Sequence, residues 1–171
     1  AVQLREKDLE IRDLLDMAYE IREMTRKYNA KLFINDRVDI ALAVNADGVH
    51  LGQQSIPADA VRKITQGKLI IGVSTHSLEE AISAETKGAD FITLGPVFET
   101  PSKIKYGKPV GVDLLKEAKE KVSIPIFAIG GIKEDKVSDV MNAGADGIAL
   151  ISGILGAENI KEKAKEFLRL L

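Results

Sequence analysis

One pattern recurs along the whole chain: a short apolar run, one or two polar residues at its end, then a stretch with helical periodicity. Runs such as LIIGVS and IPIFAIG carry no polar face, so a strand made from them is buried on both sides. Parallel sheets covered by helices permit this; half-exposed antiparallel sheets do not. Strands are therefore expected near Val2–Arg5, Lys31–Asn35, Gly48–Leu51, Leu69–Ser74, Phe91–Gly95, Ile124–Ile129 and Gly147–Ser152. Helices are expected near Asp8–Tyr28, Arg37–Val44, Pro57–Ile64, Ser77–Lys87, Val112–Glu120, Glu134–Ala143 and Asn159–Leu170. Several turns into strands read VNADG, KGAD or AGADG, a helix end passing through Gly or Asp into the next strand.

This alternation predicts an α/β fold, a TIM (β/α)8 barrel whose first β/α unit is absent, so that the chain begins at the second strand. An open doubly wound sheet is the rival. The barrel is preferred because polar residues recur at the strand ends, the face on which barrels place their chemistry. No linker or low-complexity tract interrupts the pattern, and residues 1–171 read as one domain.

With 171 residues and 45% hydrophobic content, one substantial core is within reach. The net charge of −2, with dispersed basic residues, leaves no footprint for nucleic acid or an anionic membrane. No apolar run approaches the roughly 20 residues that span a bilayer. The absence of cysteine removes disulfides and thiolate metal sites, and a cytoplasmic protein is expected. An anionic ligand would have to be held by a few placed cations and backbone amides, because the net field does not attract it.

Two stretches carry most of the chemistry. GPVFETPSK leaves a buried strand and opens a loop from Pro96 to about Gly111, long against the usual 2–6 residues. It reads as a mobile lid contributing Thr100, Ser102 and Lys103, or as a variable surface loop. AIGGI ends a strand in paired glycines, and with Ile151, Ser152 and Gly153 after the last strand it suggests a backbone cradle for phosphate.

At the first strand, Gln3, Arg5 and Lys7 share one parity and would face the same way, with Val2 and Leu4 packing outward. Two cations there suit a phosphate; a solvated turn is the plainer reading. Asn35 and Asp36 end the second strand, where a carboxylate beside a carboxamide suits Mg2+ and a helix cap is the alternative. His50 lies mid-strand and reads as a buried structural histidine; Gln53, Gln54 and Ser55 follow at the rim, where Ser55 could equally cap the next helix. Ser74 and His76 end the fourth strand. His76 is the only histidine at the rim and so the ready proton shuttle. Ser77 and Glu80 have capping-box spacing. Asp39 and Asp47 read as structural.

Taken in order, VQLREKD, LFINDRVDIAL, ADGVHLGQ, IGVSTH, GADFITLGPVFETPSK, IPIFAIGGI and GADGIALISGI resemble the thiamine-phosphate synthase family over essentially the whole chain. The resemblance implies a transferase that condenses aminomethylpyrimidine pyrophosphate with thiazole phosphate through a pyrimidine-methyl cation. It implies that Gln3, Arg5, Lys7, Asn35, Ser74 and Lys103 hold the pyrophosphate. Thr100, Ser102, Gly131, Ile151 and Ser152 would hold thiazole phosphate. Mg2+ would be the cofactor, bound at Asp36 and, where the family carries a second aspartate, at Ser55. Partners would be phosphorylated small molecules, with neither nucleic acid nor membrane; a homodimer is compatible with this. HSLEEA, VFETPSK and Ser55 also resemble the sister family of thiazole tautomerases, isomerases in which His76 would move a proton. Lys7, Asn35 and Asp36 favour the synthase, as does Pro96, which stands where tautomerases carry histidine. A non-catalytic binder of thiazole phosphate is the third alternative.

Overall fold

The computed structural model describes residues 1–100 and 108–171. These form two compact units, Ala1–Ser74 with Thr86–Asp90, and Thr75–Glu85 with Phe91–Leu171.

The first unit contains β1 (Val2–Leu4), α1 (Ile11–Lys27), β2 (Leu32–Asn35), α2 (Val38–Ala43), β3 (Gly48–Leu51), α3 (Ala58–Thr65) and all but the last residue of β4 (Ile70–Thr75). Each strand pairs in parallel with the next, with Gln3 opposite Phe33, Asn35 opposite His50 and Leu51 opposite Val73. Leu32, Ile34, Val49, Leu51 and Ile71 are essentially inaccessible, as expected for strands covered on both faces. Burying each such side chain stabilises the fold by about 1.5–3 kcal/mol. α1 buries Leu14, Ala18, Arg22 and Thr25, the spacing of one helical face.

The second unit contains most of α4 (Leu78–Thr86), then β5 (Phe91–Leu94), α5 (Gly111–Lys121), β6 (Ile126–Ile129) and a 3-10 turn at Glu134–Lys136. These are followed by α6 (Val137–Asn142), β7 (Gly147–Ala149), α7 (Ser152–Leu155) and α8 (Ile160–Arg169). β5, β6 and β7 are again parallel in chain order. Ile92, Leu94, Ile126 and Ala128 of the strands and Leu115, Ala118, Val137 and Val140 of the helices are all buried. The Phe91 and Phe127 rings meet edge to face at 5.4 Å, a favourable quadrupole arrangement.

An aspartate clasp recurs where the chain enters β3, β5 and β7. Asp47, Asp90 and Asp146 accept the amides of Leu32, Ile71 and Ile126 at 2.8, 2.7 and 2.9 Å. Their own amides donate back to the carbonyls of the same three residues. Each carboxylate also takes a cation from an earlier helix: Arg22 at 2.6 Å, Arg62 at 2.7 Å and Lys119 at 2.8 Å. The clasp explains why VNADG, KGAD and AGADG look alike, since one carboxylate ends a strand ladder and holds a helix. For Asp146, burial opposes the charged form, but Lys119 and the Ile126 amide outweigh it and lower its pKa. Asp47 is lowered in the same way, with the Leu32 amide and Arg22 outweighing burial.

The ends of β1 and β7 differ from the sequence expectation. β1 stops at Leu4 because the Glu6 carboxylate takes the amides of Lys7 and Asp8, at 2.9 and 3.3 Å, and turns the chain. Val2 is 42% exposed, so it does not pack outward as expected, whereas Leu4 is buried. β7 stops at Ala149, and the expected strand end at Ser152 is instead the start of the short helix α7. No described helix is long and apolar enough to cross a membrane.

Candidate functional site

In the first unit the polar residues at the strand ends form one hydrogen-bonded string. Gln3 Nε2 donates to Asn35 Oδ1 at 3.0 Å, and Asn35 Nδ2 donates to Asp36 Oδ2 at 2.7 Å. The other carboxylate oxygen, Asp36 Oδ1, accepts the Ser55 hydroxyl and, at 3.3 Å, the Gly52 amide. The Gly52 amide also reaches Ser55 Oγ at 2.7 Å. Thirty-two residues separate Gln3 from Asn35 and nineteen separate Asp36 from Ser55, so parallel pairing of β1, β2 and β3 is what brings them together.

Asp36 has φ 60°, in the left-handed region. The Arg37 amide returns to the Asn35 carbonyl at 2.7 Å, closing a three-residue turn centred on Asp36. Such a conformation costs of order 1 kcal/mol for a residue with a side chain, least for Asn and Asp. It is held by the Asp36 amide on the His50 carbonyl at 3.0 Å, which continues the ladder past the strand end. Arg37 is engaged with Asp39, whose pKa it lowers through their hydrogen bond.

His50 is 4% exposed, and its Nε2 lies 2.9 Å from Ser74 Oγ. Burial pushes its pKa down to about 4, against the pull of the Asp36 charge, so the ring is neutral. Gln53 donates from its side chain to the Ser74 carbonyl. Arg5 and Lys7 are exposed beyond β1, off the strand parity that linked them to Gln3, and neither side chain forms an ion pair with another described residue.

Asp36 and Ser55 bring only oxygens together, a hard donor pair that fits Mg2+, which takes one or two carboxylates and keeps waters and substrate oxygens in its other positions. Asn35 turns its Nδ2 rather than its oxygen to Asp36. Among the described residues there is no cluster of three or more His, Cys, Asp or Glu that would bind a metal by protein ligands alone.

In the second unit the corresponding region is made of backbone. The amides of Val97 and Phe98 donate to the carbonyls of Ile129 and Gly130, at 2.9 and 3.1 Å, laying the segment after β5 across the end of β6. The contact requires glycine on both sides. A Cβ at Gly95 would lie 2.0 Å from the Ile129 carbonyl oxygen, one at Gly130 2.6 Å from Pro96 Cα, and one at Gly131 2.5 Å from the Glu99 carbonyl oxygen. Gly130 and Gly131 also have φ of 94° and 67°. The Gly95–Pro96 peptide is cis. The amides of Val110 and Gly111 close the foot of the loop on the carbonyls of Pro96 and Val97, at 2.8 and 3.1 Å.

A Cβ at Gly153 would stand 3.7 Å from the Ile132 carbonyl oxygen, so the start of α7 adjoins the chain leaving Gly131. The amides of Gly131, Ile151 and Ser152 donate to no other described residue. Thr100 is half-buried. Ser102 and Lys103, the remaining expected loop contributors, lie outside the described residues. His76 is exposed, and both its amide and its Nδ1 meet Glu80 Oε2, at 2.7 and 3.0 Å. Glu80 in turn donates its amide to Ser77 Oγ at 3.2 Å, so the helix cap reaches one residue further back and takes in His76.

The structure thus gathers Gln3, Asn35, Asp36 and Ser55 into one string in the first unit, with Ser74 held beside it by His50 and Gln53. In the second unit Gly153, which follows Ile151 and Ser152, stands against the Ile132 carbonyl, which follows Gly131. The hold of Gln53 on the Ser74 backbone was not foreseen, because nothing local in GQQS points to a carbonyl 21 residues away.

The family model described as thiamine monophosphate synthase matches residues 1–154. A putative thiamine-phosphate synthase of Geobacter sulfurreducens is 51% identical over 170 residues, covering 99% of this chain and 80% of that one. A thiamine-phosphate synthase of Clostridium novyi is 48% identical, covering 96% of this chain and 80% of the relative. Among solved structures, thiamine phosphate pyrophosphorylase from Pyrococcus furiosus superposes with a TM-score of 0.92 at 42% identity, covering 98% of this chain and 80% of that one. With the family model matched over residues 1–154 and a relative 51% identical over 99% of this chain, the chain belongs to the thiamine monophosphate synthase family.

Proposed function

We propose that the protein is a thiamine-phosphate synthase: it joins aminomethylpyrimidine pyrophosphate to thiazole phosphate, releasing pyrophosphate. The observation that carries the reading is the Gln3–Asn35–Asp36–Ser55 string in a chain 51% identical to a relative of that name. The (β/α)8 barrel class is part of the same proposal, supported by the TM-score of 0.92.

In this reading the first unit takes the pyrophosphate. Gln3 and Asn35 present amide donors, and Arg5 and Lys7 supply charge from side chains without ion pairs to described residues. Asp36 and Ser55 would hold Mg2+, which when bound neutralises charge that grows on the leaving group. Because that charge grows as the carbon–oxygen bond breaks, fixed cations stabilise the transition state more than the ground state. The ring nitrogen of thiazole phosphate then captures the pyrimidine-methyl cation. In the second unit the amides of Gly131, Ile151 and Ser152 would hold the thiazole's phosphate, with Thr100 and Ser102 contributed by the loop, whereas Ser74 and Lys103 would serve the pyrophosphate. His76, tied to Glu80, is left as a proton acceptor of secondary importance.

The isomerase alternative is not favoured, since the relatives cited carry the names thiamine-phosphate synthase, putative in one case, or thiamine phosphate pyrophosphorylase. The test is incubation of the protein with both substrates and Mg2+, following thiamine phosphate and pyrophosphate together. Stoichiometric release supports the reading, and binding of both substrates without release refutes it.

A further inference from the structure

His50 is a buried titratable group that the proposed reaction does not use, yet its ring nitrogen touches a residue that the reaction does use. Its Nε2 is 2.9 Å from Ser74 Oγ, and its ring is buried in β3 with 4% exposure. Ser74 is half-buried in the penultimate position of β4. Its carbonyl is taken by Gln53, so the backbone at Ser74 is held from one side and its hydroxyl from the other.

A hydroxyl has one proton to give and two lone pairs to offer. If Nε2 accepts that proton, Ser74 turns only lone pairs outward and an approaching anion is repelled. If Nε2 carries a proton, it fills one lone pair and leaves the Ser74 O–H as an outward donor.

We propose that His50 is a positioning residue whose Nε2–H donates to Ser74 Oγ, so that the Ser74 hydroxyl is oriented to donate to the pyrophosphate of the substrate. The inference rests on the functional reading above. It explains why a histidine occupies a buried strand position flanked by Val49 and Leu51, where an aliphatic side chain would pack more simply. The contact to Ser74 runs from Nε2, so whether that nitrogen carries a proton decides the direction of the relay.

The chain has two histidines, so ring 15N spectra assigned with His76→Gln report His50 directly. The expected result is a protonated Nε2 and an unprotonated Nδ1. In steady-state kinetics, His50→Leu should lower kcat/KM for the pyrimidine pyrophosphate about 10-fold, the worth of one hydrogen bond to a charged group. It should leave KM for thiazole phosphate unchanged. His50→Gln, which retains an N–H donor, should recover most of the loss. Ser74→Ala should cost as much as His50→Leu, and His50→Leu should cost nothing further in the Ser74→Ala background.

An Nδ1-protonated ring, or losses that multiply in the double variant, would overturn the proposal. So would an equal rise in KM for both substrates in His50→Gln. Should His50→Leu fail to fold, the spectrum of the wild type, His50→Gln and Ser74→Ala still decide it. Failure of the functional reading shows separately, as a wild type that releases no pyrophosphate.

Discussion

The strand ends of the two units are built by different means. The first lines its strand ends with side chains that hydrogen-bond to one another, from Gln3 through Asn35 and Asp36 to Ser55. The second uses backbone: glycines let residues 95–99 lie directly on the end of β6, and the amides of Gly131, Ile151 and Ser152 have no acceptor among the described residues. A region built of side chains loses function one group at a time, because each group can be removed without moving the chain. A region built of backbone has no group to remove, only space to fill, so substitution acts first on the fold.

The largest expected effect tests the first half of that contrast. Asp36→Asn retains a residue tolerant of φ 60° but removes the charge. Activity at saturating Mg2+ should fall about 100- to 1,000-fold, the worth of one positioned charge-stabilising group. The melting temperature should stay within a degree or two of wild type. An equally large fall in stability would show that the string is structural.

Gly131→Ala tests the second half. Its Cβ would stand 2.5 Å from the Glu99 carbonyl oxygen, on a residue whose φ is 67°. Overpacking and strain should cost about 1–3 kcal/mol of unfolding free energy. Binding of thiazole phosphate should weaken with it. A fully stable Gly131→Ala variant would remove the claim that tight chain-on-chain contact dictates glycine there.

Effects on stability alone are expected at the opposite ends of the strands. Asp146→Ala deprives the Ile126 amide and Lys119 of their acceptor and should cost about 1–3 kcal/mol by chemical denaturation, with kcat unchanged. Loss of activity in the folded variant would contradict the division between rim and clasp.

The same clasps set the acid limit of stability. Asp47 and Asp146 have folded pKa values below their ordinary value, so the unfolded chain binds protons first as pH falls. Their contribution is complete above about pH 4, the unfolded carboxylate pKa, and disappears as pH drops through the folded values. Thermal melts across pH 2–6 should therefore be flatter for an Asp47→Asn, Asp146→Asn double variant than for wild type. Parallel curves would show that these carboxylates do not govern acid unfolding.

Much of this was legible in the sequence. Each described strand and long helix begins within three residues of its expected start, because apolar runs and helical periodicity are local signals. The exceptions have identifiable causes in single groups. Glu6 ends β1 early through its carboxylate, and the chain after Ala149 turns into α7 because Ile151 and Ser152 adopt helical hydrogen bonding with Ile154, Leu155 and Gly156. Gln3, Asn35, Asp36, Ser55 and Ser74 were identifiable as strand-end polar residues. Their connections to one another were not.

The order of strands and helices, the Gly-Ala-Asp turns and the paired glycines followed from the sequence alone. Each depends on a residue's own backbone preference or on neighbours a few positions away. Tertiary structure decided the rest: that Asp36 takes a left-handed backbone held by His50, that Gln53 grips Ser74, and that three similar turns each recruit a cation from a different helix. Those choices depend on the register of one strand against the next, and register is a property of pairs that no single segment encodes.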